Sequence, residues 1–539
     1  MKNIWLCLLI GLAACSGEHT PSPDIPDKTT QLIKNAIIID GSGTAGYPGD
    51  LRFNQQGIIA IGQLDILATD EVIFANEMVV SPGFIDTHSH HDSGLDKNPQ
   101  AVAANSQGIT TIVIGNDGLS DFPLSDFKQT LLSNPPTVNV ASYTGHGSLR
   151  FEVMETDYKR EANTDEINRI SDLLNKDLEE GSLGLATGLE YDPGIYSSTD
   201  EVIQLAKTAA AAGGRYISHM RSEDRAFHEA LEELLMIGRV ADLPVQISHM
   251  KLAAVNIWGQ AEQVIRRLDT ARAEGIDVSA DVYPYTYWQS TLTVLLPDRN
   301  YDDLEAARYA LENLASADGL TLAYYAPDPS LVGKTVAQIA ATREKSNEET
   351  YLQLIRDAHE GFTAEQPVAL QEARESVIGV SMSEQDVSVL VAWPHANICS
   401  DGSSEGHPRG HGAFPRAIRQ YVREQGIVTL EEMIRKMTSL SAAHVGIEQR
   451  GLISPGYAAD LVLFDPDTIT DNATIEQHDR LSDGIIRVWV NGETVWKDQR
   501  GTDARPGLFI SRTQLAFADG GLYQLPMAAR IRNSHGTGW

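Results

Sequence analysis

The sequence predicts an α/β chain built on a closed (β/α)8 barrel. Three observations lead there. Short apolar runs with the length of buried strands fall at 78–86, 110–115, 137–144, 182–189, 215–219, 244–249, 277–283 and 396–401. Most are separated by segments with helical spacing of apolar residues, such as 164–178, 200–213 and 258–274. Four of the runs end in residues that can ligate a metal. Eight alternating units point to a closed parallel barrel, whose functional groups gather at the C-terminal ends of its strands. An open doubly wound sheet is the alternative. No glycine-rich dinucleotide turn follows a strand to support it.

The chain starts with a basic Met1-Lys2, an apolar run from Ile4 to Leu12, and then Leu12-Ala13-Ala14-Cys15. The apolar run is too short to span a bilayer, so residues 1–14 are expected to be a signal peptide. The cysteine directly after Leu-Ala-Ala resembles a bacterial lipoprotein signal. The resemblance implies cleavage before Cys15, a lipid anchor on that residue, and a place in the bacterial cell envelope facing the periplasm. Residues 15–30, rich in Ser, Thr, Pro and Asp, form a flexible tether. With Cys7 removed and Cys15 lipidated, only Cys399 stays free, which excludes a disulfide framework.

Residues 31–77 hold short alternating runs such as Ile37-Ile-Ile-Asp-Gly and Gly57-Ile-Ile-Ala-Ile-Gly, which fit strands and turns. The barrel is expected over 78–450. Its first strand ends in Asp86-Thr-His88-Ser-His90-His91. Side chains alternate along a strand, so His88 and His90 point one way and His91 the other. Arg215-Tyr-Ile-Ser-His219 and Pro244-Val-Gln-Ile-Ser-His249 each end in a histidine, and Ala396-Asn-Ile-Cys-Ser-Asp401 ends in an aspartate. The interval from His219 to His249 holds a helical segment, roughly 222–240, so the two histidines fall on neighbouring strands at the same edge.

The block at about 292–385 is too long for a connection and is expected to fold as an inserted α/β subdomain. Residues 451–510, with Ala459-Asp-Leu-Val-Leu-Phe and Ile486-Arg-Val-Trp-Val-Asn-Gly, again fit strands, and 511–539 form a peripheral tail. A hydrophobic content of 42% fits a folded enzyme rather than a disordered chain. The net charge of −32 argues against nucleic acid or anionic membrane surfaces as partners.

The segments SPGFIDTHSH (81–90), GITTIVIGNDG (108–118), GHGSLR (145–150), SLGLATGLEYDPGIYS (182–197), YISHMRSE (216–223), QISHMK (246–251), DVYPYT (281–286), ICSDGSSEGHPRGHGAFPR (398–416), KMTSLSAAHVG (436–446) and GYAADLVLFDP (456–466) together resemble the amidohydrolase superfamily, and within it the N-acyl-D-amino-acid deacylases. They run in family order through nearly the whole chain. The resemblance implies a metal-dependent barrel whose two chain ends fold together as a small β-sandwich. It also implies one or two divalent cations, with zinc the default for histidine-rich ligation and manganese or cobalt as alternatives.

D-aminoacylases commonly carry a metal-ligating cysteine after the second strand; here that residue is Asp117. Glu190 stands at the end of the fourth strand, where related enzymes place a bridging group. The expectation is that Glu190 bridges two cations, one held by His88 and His90, the other by His219 and His249. Asp117 as the carboxylate ligand, or a single cation, are the rivals. Asp401 is the expected general base. Lys251, Tyr191 and Tyr283 match positions that hold the substrate carboxylate, with Arg409 and Arg221 in reserve and Arg150 and His146 near the mouth. The expected reaction releases D-amino acids from N-acyl-D-amino acids. A dipeptidase acting on D-containing or N-acylated dipeptides, and an inactive solute-binding lipoprotein on the same scaffold, are the alternatives.

Overall fold

The computed structural model describes residues 30–360 and 374–512. The signal peptide, Cys15, nearly all of the tether, and the tail beyond 512 lie outside the described residues. No helix among the described residues is long and apolar enough to cross a membrane.

Eight parallel strands close a barrel. They are Phe84–Asp86, Ile109–Ile114, a third running through Asn139–Ser142 and Thr144–Gly145, Gly184–Gly188, Arg215–His219, Val245–Ile247, Val278–Val282 and Ala396–Ile398. Each pairs with the next in parallel register, for example Ala186 with Ile217 and Ile217 with Gln246. Closure between last and first comes just past the strand ends. Asp401 N donates to His88 O at 2.8 Å and His90 N to Gly402 O at 3.0 Å. Inward side chains, among them Ile85, Val113, Tyr143, Leu183 and Ile217, fill the barrel as a buried cluster. Burying each large apolar side chain contributes about 1.5–3 kcal/mol.

The helices follow their sequence signals. Thr164–Glu179 starts at a capping box: Glu166 N donates to Asn163 Oδ1 at 3.0 Å, and Asn163 N to Glu166 Oε2 at 2.8 Å. It buries Ile167, Ile170, Leu174 and Leu178, three or four residues apart, and ends before Gly181, whose φ of 105° suits glycine. Thr199–Ala211, Phe227–Ala241 and Ala261–Ala273 occupy the other expected helical segments.

The run at 78–86 is two strands, not one. Val79–Pro82 belongs to an outer sheet and Phe84–Asp86 to the barrel. Gly83 sits at the break, where a Cβ would lie 2.2 Å from the Thr110 hydroxyl oxygen, so a side chain there is excluded by the second barrel strand. The outer sheet draws on both chain ends. Thr30–Ile38 pairs with Val79–Pro82, which pairs antiparallel with Leu461–Phe464, and nine strands are linked in all. Thr30–Ile38 also pairs with Asp70–Phe74 through its first half, and the sheet encloses its own core around Ile33, Phe53, Val80, Leu461 and Trp489. The chain leaves this sheet after Gly501: Val140 N donates to Leu508 O and Ile510 N to Val140 O, so residues 508–510 lie along the third barrel strand.

The insertion begins earlier than 292. Its first strand is Tyr287–Ser290, which pairs with Glu375–Val380; that strand pairs in turn with Leu320–Tyr325. Helices Leu304–Asn313, Val336–Arg343 and Asn347–His359 pack against this small sheet.

Candidate active site

At the C-terminal ends of the barrel strands, four imidazoles converge on one carboxylate. Asp117 follows the second strand in a loop flanked by Gly115 and Gly118, both at positive φ. Its Oδ2 lies 3.2 Å from His88 Nε2 and 3.3 Å from His90 Nε2. Its Oδ1 lies 3.2 Å from His249 Nε2 and 4.0 Å from His219 Nδ1. Each oxygen therefore faces one histidine pair. Asp401 stands beside the first pair, with Oδ1 3.5 Å from His88 Nε2 and 3.3 Å from His90 Nε2. Its Oδ2 is held by Arg409 Nη1 at 2.7 Å.

Two overlapping groups of ligand atoms are compact enough to hold a cation: His88, Asp117, His249 and Asp401, and His219, Glu223 and His249. Nitrogen and oxygen donors of this kind suit zinc and its divalent neighbours. The backbone is strained at these positions. Asp117, His249 and Asp401 have φ of 55°, 34° and 48°, which non-glycine residues adopt at a cost of order 1–3 kcal/mol each.

His91 turns away from this centre, as strand alternation predicts. Its Nδ1 lies 2.9 Å from Ser89 Oγ and its Nε2 2.9 Å from Gly410 O. Each of three centre-facing histidines has a carboxylate beside its far nitrogen. Glu190 Oε2 is 2.9 Å from His219 Nε2, Glu223 Oε1 is 3.0 Å from His249 Nδ1, and Asp281 Oδ1 is 3.7 Å from His88 Nδ1. Of the three, the Glu190 contact is a hydrogen bond, and it leaves His219 Nδ1 free to ligate; at His249 Nδ1 the Lys251 ammonium also sits 2.8 Å away.

Glu190 thus lies to one side, against a single histidine, and the position between the two pairs is taken by Asp117. This differs from the sequence expectation. Both carboxylates follow a strand end, and only the left-handed turn at Asp117 aims it at all four rings. Burial and the neighbouring Asp224 and Glu223 push the Glu190 carboxyl well above its usual range. Asp117 is half-buried, and although that burial favours the neutral form, His88 and His249 hold its carboxyl well below that range.

A cavity of about 200 Å3 opens onto the centre. His90, Asp117, Lys251, Asp401 and Arg409 line it together with Tyr191, Trp288, Val294 and Leu295. Lys251 and Arg409 place two cations there. The Tyr283 ring supports both, 5.8 Å from Lys251 Nζ and 4.7 Å from the Arg409 guanidinium. Tyr283 does not line the cavity; its hydroxyl lies 4.0 Å from Met382 Sδ. Its ring lies beside both cations, and its hydroxyl faces Met382. The Tyr191 ring packs 4.3 Å from the His219 ring.

The reserve residues sit elsewhere. Arg221 forms a two-point ion pair with Glu233, through Nε and Nη2 at 2.9 Å each. Arg150 and His146 are buried against Glu201. Glu223 was not singled out by the sequence. It is the last residue of the YISHMRSE segment, four after His219, and that spacing was the available signal.

The sequence profile described as Amidohydrolase family covers residues 71–496. A D-aminoacylase of Alcaligenes xylosoxydans xylosoxydans is 34% identical over 508 residues, 89% of this chain and 97% of its own length. An N-acyl-D-aspartate deacylase of the same organism is 34% identical over 521 residues, covering 92% and 97%. Among solved structures, the N-acyl-D-glutamate deacylase from Bordetella bronchiseptica, complexed with zinc and a phosphonate mimic of the tetrahedral intermediate, superposes with a TM-score of 0.80. It is 31% identical and covers 90% of this chain and 100% of its own. A D-aminoacylase crystal structure gives a TM-score of 0.78 at 34% identity, covering 89% and 99%. A dihydropyrimidinase from Brevibacillus agri shares the fold at 16% identity, with a TM-score of 0.53.

Proposed function

The chain belongs to the amidohydrolase family, and from that premise we propose that it is a metal-dependent hydrolase releasing D-amino acids from N-acyl-D-amino acids. Deacylases of D-amino acids are similar to it over nearly its whole length. The observation that carries the proposal is Asp117, with one carboxylate oxygen turned to each histidine pair and Asp401 beside one of them. One or two divalent cations, zinc by default, would be held by His88, His90, Asp117, His219 and His249. When bound, they supply Lewis-acid polarisation of the scissile carbonyl and acidify a water molecule.

The protein's own groups do the rest. Asp401 takes the proton of the attacking water through Oδ1 and returns it to the amine that leaves. Arg409 holds the other oxygen of Asp401 and keeps the base aimed at the His88–His90 side. Lys251 and Arg409 together offer a positive edge to the free carboxylate of the substrate. Trp288, Val294 and Leu295 exclude water from the acyl or side-chain end. Water is consumed, the C–N bond breaks, and a carboxylic acid and an amino acid are formed.

A dipeptidase is the second reading. Glu190 and Asp224 line the same cavity and would suit the ammonium of a dipeptide. The Cys15 anchor would place the enzyme on the periplasmic face of a bacterial membrane, where extracytoplasmic amides reach it. Metal-loaded protein assayed on paired D and L N-acyl amino acids and dipeptides tests the proposal. Turnover restricted to N-acyl-D-amino acids is expected. Equal rates for both hands, or cleavage of dipeptides alone, would overturn it.

A further inference from the structure

Arg299 does not line the cavity, yet it holds two of the segments that do. One is the loop after the fourth barrel strand, which carries Glu190 and Tyr191. The other is the short helical turn Leu292–Leu295 of the insertion, which carries Val294 and Leu295. On the barrel side, Arg299 Nη2 donates to Glu190 O at 2.9 Å and Nε to Asp192 Oδ1 at 3.3 Å. On the insertion side, Nη1 donates to Thr293 O at 3.1 Å and to Leu296 O at 3.2 Å. One planar guanidinium thus bridges barrel and insertion, as its fork of donors allows and a compact ammonium does not. The backbone adds to the argument. Arg299 has φ of 53°, where glycine or asparagine costs less, so the turn alone does not call for arginine.

Both segments keep other anchors. Leu292 N donates to both oxygens of Glu375, and Arg225 Nη2 donates to Leu295 O at 3.3 Å. Ile195 N donates to Tyr191 O at 2.9 Å, and the Tyr191 ring packs on His219. Loss of the Arg299 side chain therefore leaves each segment folded and frees one from the other.

We infer that Arg299 is a positioning residue that sets the size of the apolar substrate group the cavity admits, by fixing the Glu190–Tyr191 loop relative to Val294 and Leu295. The inference rests on the deacylase proposal above. An N-acyl-D-amino acid has two groups that suit an apolar lining, its acyl chain and its side chain. One methylene in an apolar pocket is worth about 10–200-fold in discrimination, provided the lining does not yield to it. The tie through Arg299 supplies that resistance.

The test uses the full metal-loaded protein and two substrate series. One is N-acetyl-D-alanine, N-acetyl-D-leucine and N-acetyl-D-tryptophan. The other is D-alanine carrying acetyl, butyryl or hexanoyl groups. Arg299→Met keeps most of the side-chain length and removes every donor. In this variant the spread of kcat/KM should shrink by about tenfold or more in at least one series. The change should lie in KM, with kcat for the best substrate kept within about threefold and bound metal unchanged. The series that responds identifies the group that meets Val294 and Leu295.

Arg299→Lys keeps an ion pair with Asp192 but cannot span both segments, so its selectivity should lie nearer to Arg299→Met than to wild type. It carries the test alone if Arg299→Met does not fold. A merely structural role would lower kcat for every substrate alike. Such a uniform fall, an unchanged spread in both series, metal loss in parallel, or wild-type selectivity in Arg299→Lys would overturn the inference. A wild type that turns over no N-acyl-D-amino acid would instead fail the functional proposal. Amide hydrogen exchange then still decides the tie, which requires faster exchange in residues 189–196 and 292–299 together in Arg299→Met; a change in one segment alone, or in neither, would refute it.

Discussion

Replacing Asp117 with asparagine, beside Glu190→Gln prepared in parallel, separates the two acidic residues sharply. The Asp117 oxygens face His88 and His90 on one side and His249 and His219 on the other, at 3.2 to 4.0 Å. Asparagine keeps the shape and one oxygen but removes the negative charge at the point where four imidazoles meet. A cation pair needs that anion, so bound metal should fall from about two ions to one or fewer per chain. Glu190 touches His219 Nε2 alone, and a glutamine oxygen can still accept that N–H. Losing that carboxylate should cost about 10–100-fold in affinity, or about 1.4–2.8 kcal/mol, with the number of ions bound unchanged. Elemental analysis after dialysis against graded chelator reads both variants on one scale. If Glu190→Gln sheds metal while Asp117→Asn keeps two ions, the bridging role belongs to Glu190 and the argument from oxygen geometry is wrong.

Asp401→Asn should lower kcat by a factor on the order of 10² or more while the histidines and Asp117 retain metal, because proton transfer is lost and coordination largely kept. Parallel loss of metal would make Asp401 chiefly a ligand. A pH effect is expected at Glu375, on the inner strand of the insertion. Both its oxygens lie 2.9 Å from Leu292 N, and burial pushes its carboxyl up to about 8. The folded chain then holds a proton there that the unfolded chain releases near its ordinary value of 4.5. Stability from this group is present in full below about 4.5 and lost as pH rises toward about 8, at up to about 1.4 kcal/mol per unit. Glu375→Gln should flatten that slope in melting curves taken from pH 5 to 8; an unchanged slope would remove Glu375 as its source.

The barrel and its histidines were legible because they rest on periodicity. A strand buried on both faces reads as an apolar run, and a ligand at its end falls at a fixed place relative to that run. His219 and His249 needed nothing more. The loop residues were harder, since no period governs a loop. Asp117 and Glu190 each follow a strand end, and the backbone at Asp117, with φ of 55°, decides which one enters the centre. Aspartate tolerates that conformation better than most residues but does not announce it. Tyr283 was placed by motif, and motif gives position without direction; its ring carries two cations while its hydroxyl points elsewhere. The break at Gly83 was hidden because apolar residues flank it on both sides, though they serve different sheets.

The shared outer sheet constrains how the chain can be made. Val79–Pro82 lies between Thr30–Ile38 and Leu461–Phe464, so one of its edges has no partner until hundreds of residues have followed it. The barrel closes only when residues 401 and 402 reach the backbone of His88 and His90. On a ribosome, the amino-terminal strands must therefore wait with an open edge, the state in which strands pair with the wrong chain. A protein of this design leans on whatever shields nascent chains during that interval, and its yield in a foreign host should be limited by synthesis rate and temperature before it is limited by the stability of the finished fold.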